Sequence, residues 1–142
     1  MQINFKKTLP NAKVPTHGSE GAAGYDLYAT NSADVAVGET VMFDTGLAVE
    51  IPYGYFGGIY SRSGLACKKG LYVQNNVGIL DSDYRGSIKV ALHNNSKEAH
   101  RIEEGDRIAQ LIVQPYQTVS FYEVNEVNGT VRGEGGFGSS GQ

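Results

Sequence analysis

The chain predicts an all-β domain, either a sandwich or a barrel. Short apolar runs recur along it, separated by turn residues at roughly eight- to twelve-residue intervals. Only one short segment carries the marks of a helix. The 142 residues include 19 glycines, set singly between the apolar runs and then crowded at the end. Such punctuation implies many turns and one special loop.

Taken in order, residues 2–6 alternate with Ile3 and Phe5 on one side and read as an opening strand. Pro10, Pro15 and Gly18 make the next stretch irregular. The small residues of 21–24 lead into a short strand that offers Asp26. Residues 36–43 and 45–51 read as two strands parted by Asp44, and the turn Pro52, Tyr53, Gly54 follows. Residues 56–60 form another strand, and 71–73 and 79–80 flank a turn at Asn75 and Asn76. In 87–93, Ile88, Val90 and Leu92 share one face while Lys89, Ala91 and His93 share the other. Residues 107–113 read as a buried strand introduced by Gly105 and Asp106, and 119–124 completes the set.

The helical segment is 63–70. Ser63 stands at an N-cap position, Lys68 and Lys69 fall in the last turn, and Gly70 sits where a left-handed cap belongs. No internal repeat or linker interrupts the chain, and composition shifts only after Gly129.

Hydrophobic residues make up 40% and charged ones 19%, the balance of an ordinary soluble domain. A net charge of −3 argues against a nucleic-acid duplex or an anionic membrane as the main partner. The single cysteine, Cys67, allows no intrachain disulfide, suits a reducing compartment and reads as a buried, inert thiol. The first ten residues lack a signal-peptide core and no run reaches membrane-spanning length, so a cytoplasmic location is expected.

Chemistry concentrates around residues 77–86, VGILDSDYRG, where an apolar strand runs into Asp81 with Tyr84 just past a tight turn. Alone, this is a hairpin whose acidic turn faces water. Its neighbours in the chain change that reading. Arg62 and Ser63 precede the one helix, where free backbone N–H groups and a guanidinium fork suit an anion, although a capped helix with a solvated arginine fits those residues as well.

The tail RGEGGFGSSG at 132–141 is too rich in glycine to pack a core, yet it carries Arg132, Phe137, Ser139 and Ser140. Glycines such as Gly138 let backbone N–H groups close around phosphate oxygens, and Phe137 offers a face to a flat ring. His17, His93 and His100 are scattered, which excludes a tightly held zinc, whereas Asp26 and Asp81 suit a magnesium ion that arrives with phosphates. Together these residues suit a small nucleotide.

AAGYDLYA (22–29), YSRSGLA (60–66), VGILDSDYRG (77–86), GDRIAQLI (105–112) and RGEGGFGSSG (132–141) resemble the ordered motifs of the trimeric dUTPases, in family order and across nearly the whole chain. The resemblance implies a β-clip or distorted jelly-roll-like barrel over 1–131, a glycine-rich lid over 132–142, and a homotrimer with shared sites. It implies hydrolysis of dUTP to dUMP and pyrophosphate, limiting uracil incorporation into DNA and supplying dUMP for thymidylate synthesis.

Residue by residue, Asp81 resembles the base that activates the water attacking the α-phosphorus. Tyr84 is similar to the tyrosine that packs under the deoxyribose and leaves no room for a 2′-hydroxyl. Asn75 and Gly78 match positions that read the uracil edge. Asp26 resembles the residue that orients the waters of the triphosphate-bound Mg2+. Arg62, Ser63, Gly64 and Gln110 match phosphate contacts, and Arg132, Phe137, Gly138, Ser139 and Ser140 match the closing tail.

Departures are small. Ser61 replaces a proline common before the motif arginine, Ser140 stands where threonine is frequent, and Asn76 lies where the family varies. A dCTP deaminase, the related alternative, needs a glutamate near the base, and none occurs in 74–84. A nucleotide-sensing regulatory protein on the same scaffold, with a protein partner, is the alternative from another class.

Overall fold

A computed structural model describes residues 1–138 of the chain. Its strands are β1 (Asn4–Lys7), β2 (Thr16–His17), β3 (Tyr25–Tyr28), β4 (Ala33–Val35), β5 (Thr40–Asp44) and β6 (Leu47–Glu50). After β7 (Tyr55–Tyr60) and the helix α1 (Ser63–Lys69) come β8 (Leu71–Val73), β9 (Val77–Leu80), β10 (Lys89–Asn94), β11 (His100–Ile102) and β12 (Arg107–Pro115). All strand pairings among the described residues are antiparallel.

The strands form four small sheets: β1-β6, β5-β10-β8, β11-β4 and β2-β3-β12-β7-β9. These wrap one core into a distorted jelly-roll-like barrel, as the alternating apolar pattern requires. Phe43, Leu27, Leu47, Leu71, Leu92, Ile88, Ile102 and Ile108 fill it, each essentially sealed from solvent. Each such side chain contributes about 1.5–3 kcal/mol by leaving water. Along β10, Val90 and Leu92 face inward, as the alternation predicts, while Lys89 on the opposite face is exposed.

The helix α1 is short and buries none of its residues. Gly70 closes it at φ 63°, the left-handed geometry expected there, and donates its N–H to Ala66 O at 3.1 Å. Asn95 N then donates to Gly70 O at 3.0 Å, tying the helix end to the loop after β10. The cap position falls to Arg62, in an extended conformation, and Ser63 is the first helical residue.

Several expectations are corrected. The strand expected over 36–43 begins only at Thr40, as β5, because Gly38 at φ 74° turns the chain and the Glu39 carboxylate accepts the Ala36 N–H at 2.9 Å; β4, over 33–35, lies before the expected span and was not foreseen. The strand expected over 45–51 shortens to β6 because Gly46 adopts φ 66°. Residues 119–124 form no strand: Val119, Phe121, Tyr122 and Val124 lie exposed without a ladder partner. The short β2 and β11 went unforeseen. Cys67 is exposed, not buried, since the short helix packs Leu65 against the core and leaves Cys67 on its outer side.

Candidate active site

The turn between β8 and β9, which belong to different sheets, builds the first half of the site. Asn76 takes φ 62°, a left-handed turn conformation that asparagine tolerates, and donates its N–H to Val73 O at 2.9 Å. Gly78 on β9 lies against Ile59 of β7, where an added Cβ would stand 3.2 Å from the Ile59 Cβ and 3.6 Å from Asn75 Nδ2. The close approach keeps the floor of the turn open and puts Asn75 beside the Gly78 backbone.

β9 ends at Leu80, which is buried, so Asp81 emerges at the rim. The following turn is tightly held. Tyr84 N donates to Asp81 O at 3.1 Å, and Arg85 Nη1 donates to Ser82 O at 2.8 Å and Tyr84 O at 2.9 Å. The Tyr84 hydroxyl donates to Ser87 O at 3.1 Å, and Ser87 Oγ in turn donates to the Asp44 carboxylate. Carboxylate and ring are thus fixed by a backbone with little freedom to drift.

Asn75, Gly78, Asp81 and Tyr84 line one hollow of about 200 Å³, with Ile59 and Lys89 on its walls. Lys89 was missed as a site residue, although the alternation in β10 already placed it on the outer face. On its other side Asp81 borders a wider depression of about 700 Å³ walled by Tyr53, Tyr55, Phe56 and Tyr116.

The second half is built on β3, β12 and the approach to α1. Asp26, Arg62, Ser63, Gly64 and Gln110 line a hollow of about 170 Å³ together with Arg107. Asp26 and Gln110 are directly opposite on the β3–β12 ladder. Gln110 Nε2 donates to Ser61 O at 3.0 Å, and its amide fits only because residue 24 is glycine: a Cβ there would come within 2.2 Å of Gln110 Oε1. Ser61 is more than a substitute for proline, since its Oγ accepts the Val73 N–H at 2.8 Å and joins the two halves of the fold.

Asp26 is 8% exposed, and both its oxygens are engaged. Arg62 Nε donates to Oδ1 at 2.8 Å, and Arg107 Nη1 donates to Oδ2 at 3.2 Å. Arg107 was not expected in the site, although it lies within the motif that contributes Gln110. Among the described residues no group of three or more His, Cys, Asp or Glu gathers to cage a metal. The donor set around the second hollow is one carboxylate beside two guanidinium groups. It fits a cation that arrives already bound to phosphates and keeps most of its water, as magnesium does.

The expected residues therefore fall into separate groups within one chain. Asn75, Gly78, Asp81 and Tyr84 meet in one hollow, and Asp26, Arg62, Ser63, Gly64 and Gln110 meet in another, with no lining residue in common. No described residue of the tail lines either hollow. Arg132 Nε donates to Gly135 O at 2.7 Å within its own turn, and Phe137 at φ 48° and Gly138 at φ 92° are exposed. Ser139 and Ser140 lie outside the described residues.

A family model described as dUTPase matches residues 10–141. The deoxyuridine 5'-triphosphate nucleotidohydrolase of Nautilia profundicola is 44% identical over 142 residues, which is all of this chain and all of that one. Among solved structures, a point mutant of the Staphylococcus bacteriophage 80alpha dUTPase with dUpNHpp matches with a TM-score of 0.93 at 29% identity, over 99% of each chain. A mutant dUTPase from phage phi11 of S. aureus, described as coordinating a structural Mg(II) ion, matches with a TM-score of 0.84 at 25% identity, over 91% of this chain and 100% of that one.

Proposed function

The chain belongs to the dUTPase family, hydrolases that split dUTP into dUMP and pyrophosphate, and from that premise we propose how its residues divide the work. The carrying observation is that a carboxylate, a tyrosine ring and the β8–β9 turn share one hollow while the two arginines Arg62 and Arg107 share another.

In this reading uracil enters the β8–β9 turn between Asn75 and Gly78, whose backbone and amide groups pair with its edge. Tyr84 forms the floor under the deoxyribose, and its fixed ring excludes a 2′-hydroxyl by occupying that space. Asp81, at the rim, accepts a proton from the water that attacks the α-phosphorus. Holding water, base and phosphorus in line supplies much of the rate. Arg62, Ser63, Gly64 and Gln110 hold the triphosphate, with charge-assisted bonds strengthening as the pyrophosphate departs.

Mg2+, where bound, neutralises triphosphate charge, and Asp26 is the residue that would orient its waters. Arg132, Phe137, Gly138, Ser139 and Ser140 close over the nucleotide as a lid spanning 132–142 on a body spanning 1–131, excluding bulk water.

Because the hollows are separate in one subunit, the complete site is assembled in a homotrimer. One subunit presents Asp81 and Tyr84, a second presents Arg62 and Gln110, and a third supplies the tail. Closed three-fold symmetry then repeats the site three times. No helix among the described residues is long and apolar enough to cross a membrane, and we place the enzyme in the cytoplasm with dUTP as its partner.

The test is a nucleotide panel of dUTP, UTP, dTTP and dCTP with product analysis. Pyrophosphate and the monophosphate should appear in equal amounts, from dUTP far above the others. Release of ammonia from dCTP, or of orthophosphate from dUTP, would overturn the assignment of roles.

A further inference from the structure

Asp26 is held by two arginines that differ in how they reach it. Arg62 stands just before α1, its side chain largely shielded at 25% exposure, and bonds Oδ1. Arg107 lies on β12, half exposed at 51%, and bonds Oδ2. Arg62 adjoins Ser63 and Gly64 on the hollow wall, where a phosphate would compete for its guanidinium fork. A multiply charged triphosphate outbids one carboxylate for that fork.

Arg107 reaches Asp26 only through an irregularity. Along the β3–β12 ladder Gln110 stands opposite Asp26 and Ala109 opposite Leu27, but the next partner of Tyr28 is Arg107, so Ile108 is an extra residue. Opposed residues share a face of the sheet, and faces alternate along each strand. Asp26 and Tyr28 therefore share a face, and the bulge brings Arg107 onto it. Without the extra residue Arg107 would oppose Ala29 on the buried face of Leu27. The bulge converts a core-facing position into a site position.

We propose that Arg107 is a positioning residue that keeps Asp26 in place when Arg62 leaves it for the triphosphate. Arg62 is then a two-position arginine, paired with Asp26 in one position and with phosphate in the other. The inference rests on Asp26 facing the metal-bound triphosphate. When Arg62 departs, Oδ1 becomes free to accept hydrogen bonds from the hydration shell of the incoming cation. Oδ2 keeps its bond to Arg107, so the shielded carboxylate never stands without a compensating donor and does not swing away.

The experiment is calorimetric titration of the full chain with dUpNHpp, a hydrolysis-resistant analogue, in Mg2+ and again in EDTA. The readout is the factor by which Mg2+ tightens binding, measured for the wild type, Arg107→Gln, Arg107→Lys, Asp26→Asn and the Arg107→Gln/Asp26→Asn pair. Arg107→Gln should cut that factor by roughly tenfold, the scale of losing an outer-shell partner, with affinity in EDTA nearly unchanged. Arg107→Lys should recover most of it. In the Asp26→Asn background Arg107→Gln should add nothing, because both act through one carboxylate. Arg107→Met repeats the test if the glutamine variant does not fold.

Equal loss of affinity in Mg2+ and EDTA, persisting without Asp26, would make Arg107 a direct phosphate contact and overturn the proposal. An unchanged Mg2+ factor in Arg107→Gln, with a collapsed one in Asp26→Asn, would overturn the proposal alone. A factor that survives Asp26→Asn would instead remove the premise that Asp26 faces the metal, and the proposal with it.

Discussion

Gly86→Ala should loosen the enzyme's grip on sugar identity without replacing any residue that contacts the nucleotide. A Cβ on residue 86 would sit 2.3 Å from the Tyr84 hydroxyl oxygen, 2.5 Å from Cζ and 2.9 Å from Cε2. Ordinary contact begins near 3.4 Å, so the hydroxyl end of the ring must retreat by about 1 Å, a displacement large enough to cost up to ~10²-fold where alignment matters. Gly86 does not have a positive φ, so alanine brings no backbone strain of its own. The bond from the Tyr84 hydroxyl to Ser87 O is lost as well, at about 0.5–1.5 kcal/mol.

A retreating floor opens space below the sugar, and space of methylene size in a shaped pocket is worth about 1–3 kcal/mol of discrimination. The ratio of kcat/KM for dUTP over UTP should therefore fall about tenfold, chiefly because UTP gains room for its 2′-hydroxyl. Paired initial-rate measurements of pyrophosphate release give the ratio directly. Tyr84→Ala sets the upper limit of the effect, and Tyr84→Phe, which keeps the ring, should change the ratio little. If Gly86→Ala and Tyr84→Ala both leave the ratio where it was, the tyrosine is not what excludes the ribonucleotide.

Asp81→Asn should bind dUpNHpp nearly as the wild type does while kcat drops about 10²–10⁴-fold, because an amide keeps the shape but takes no proton; turnover within a few-fold of wild type would remove Asp81 from the role. Gly24→Ala should push the Gln110 amide off Ser61 O, raising KM about tenfold with kcat largely retained and only a small loss of thermal stability; an unchanged KM would mean Gln110 does not meet the phosphates. Asp81→Asn chains co-refolded with chains ending at Val131 should regain activity well above either alone and sediment as a trimer. A monomer, or mixing that restores nothing, would show that each subunit builds its own site.

The sequence disclosed what local chemistry controls. Gly70 ends α1 in the left-handed cap its position demands, and β8 occupies the residues the pattern marks, 71–73. Ile88, Val90 and Leu92 all face inward as their alternation requires. What stayed hidden depends on partners elsewhere in the chain. Strands as short as β2 and β11 exist only because β3 and β4 offer them edges, which no local propensity reports. Residues 119–124 fail in the opposite sense: valine and aromatic residues favour a strand, but their own chain supplies no ladder.

In the site, Asp81, Tyr84, Arg62 and Gln110 are legible because motifs fix their spacing. Arg107 is not, since a one-residue bulge reverses the parity on which any face assignment relies. Lys89 was visible on the outer face of β10 but needed the β8–β9 turn beside it to become a wall of the hollow.

That bare stretch after β12 also sets a solubility problem. Val119, Phe121, Tyr122 and Val124 are 63, 94, 85 and 60% exposed in a hexapeptide whose composition favours cross-β stacking. Self-templating there is opposed by local charge: Glu123 lies inside the hexapeptide and Glu126 just beyond it, and like charges stacked in register repel. These two carboxylates are the charges that oppose such stacking. Glu123→Val should therefore raise light scattering of the concentrated protein, and unchanged scattering would show that the charge does not protect the segment.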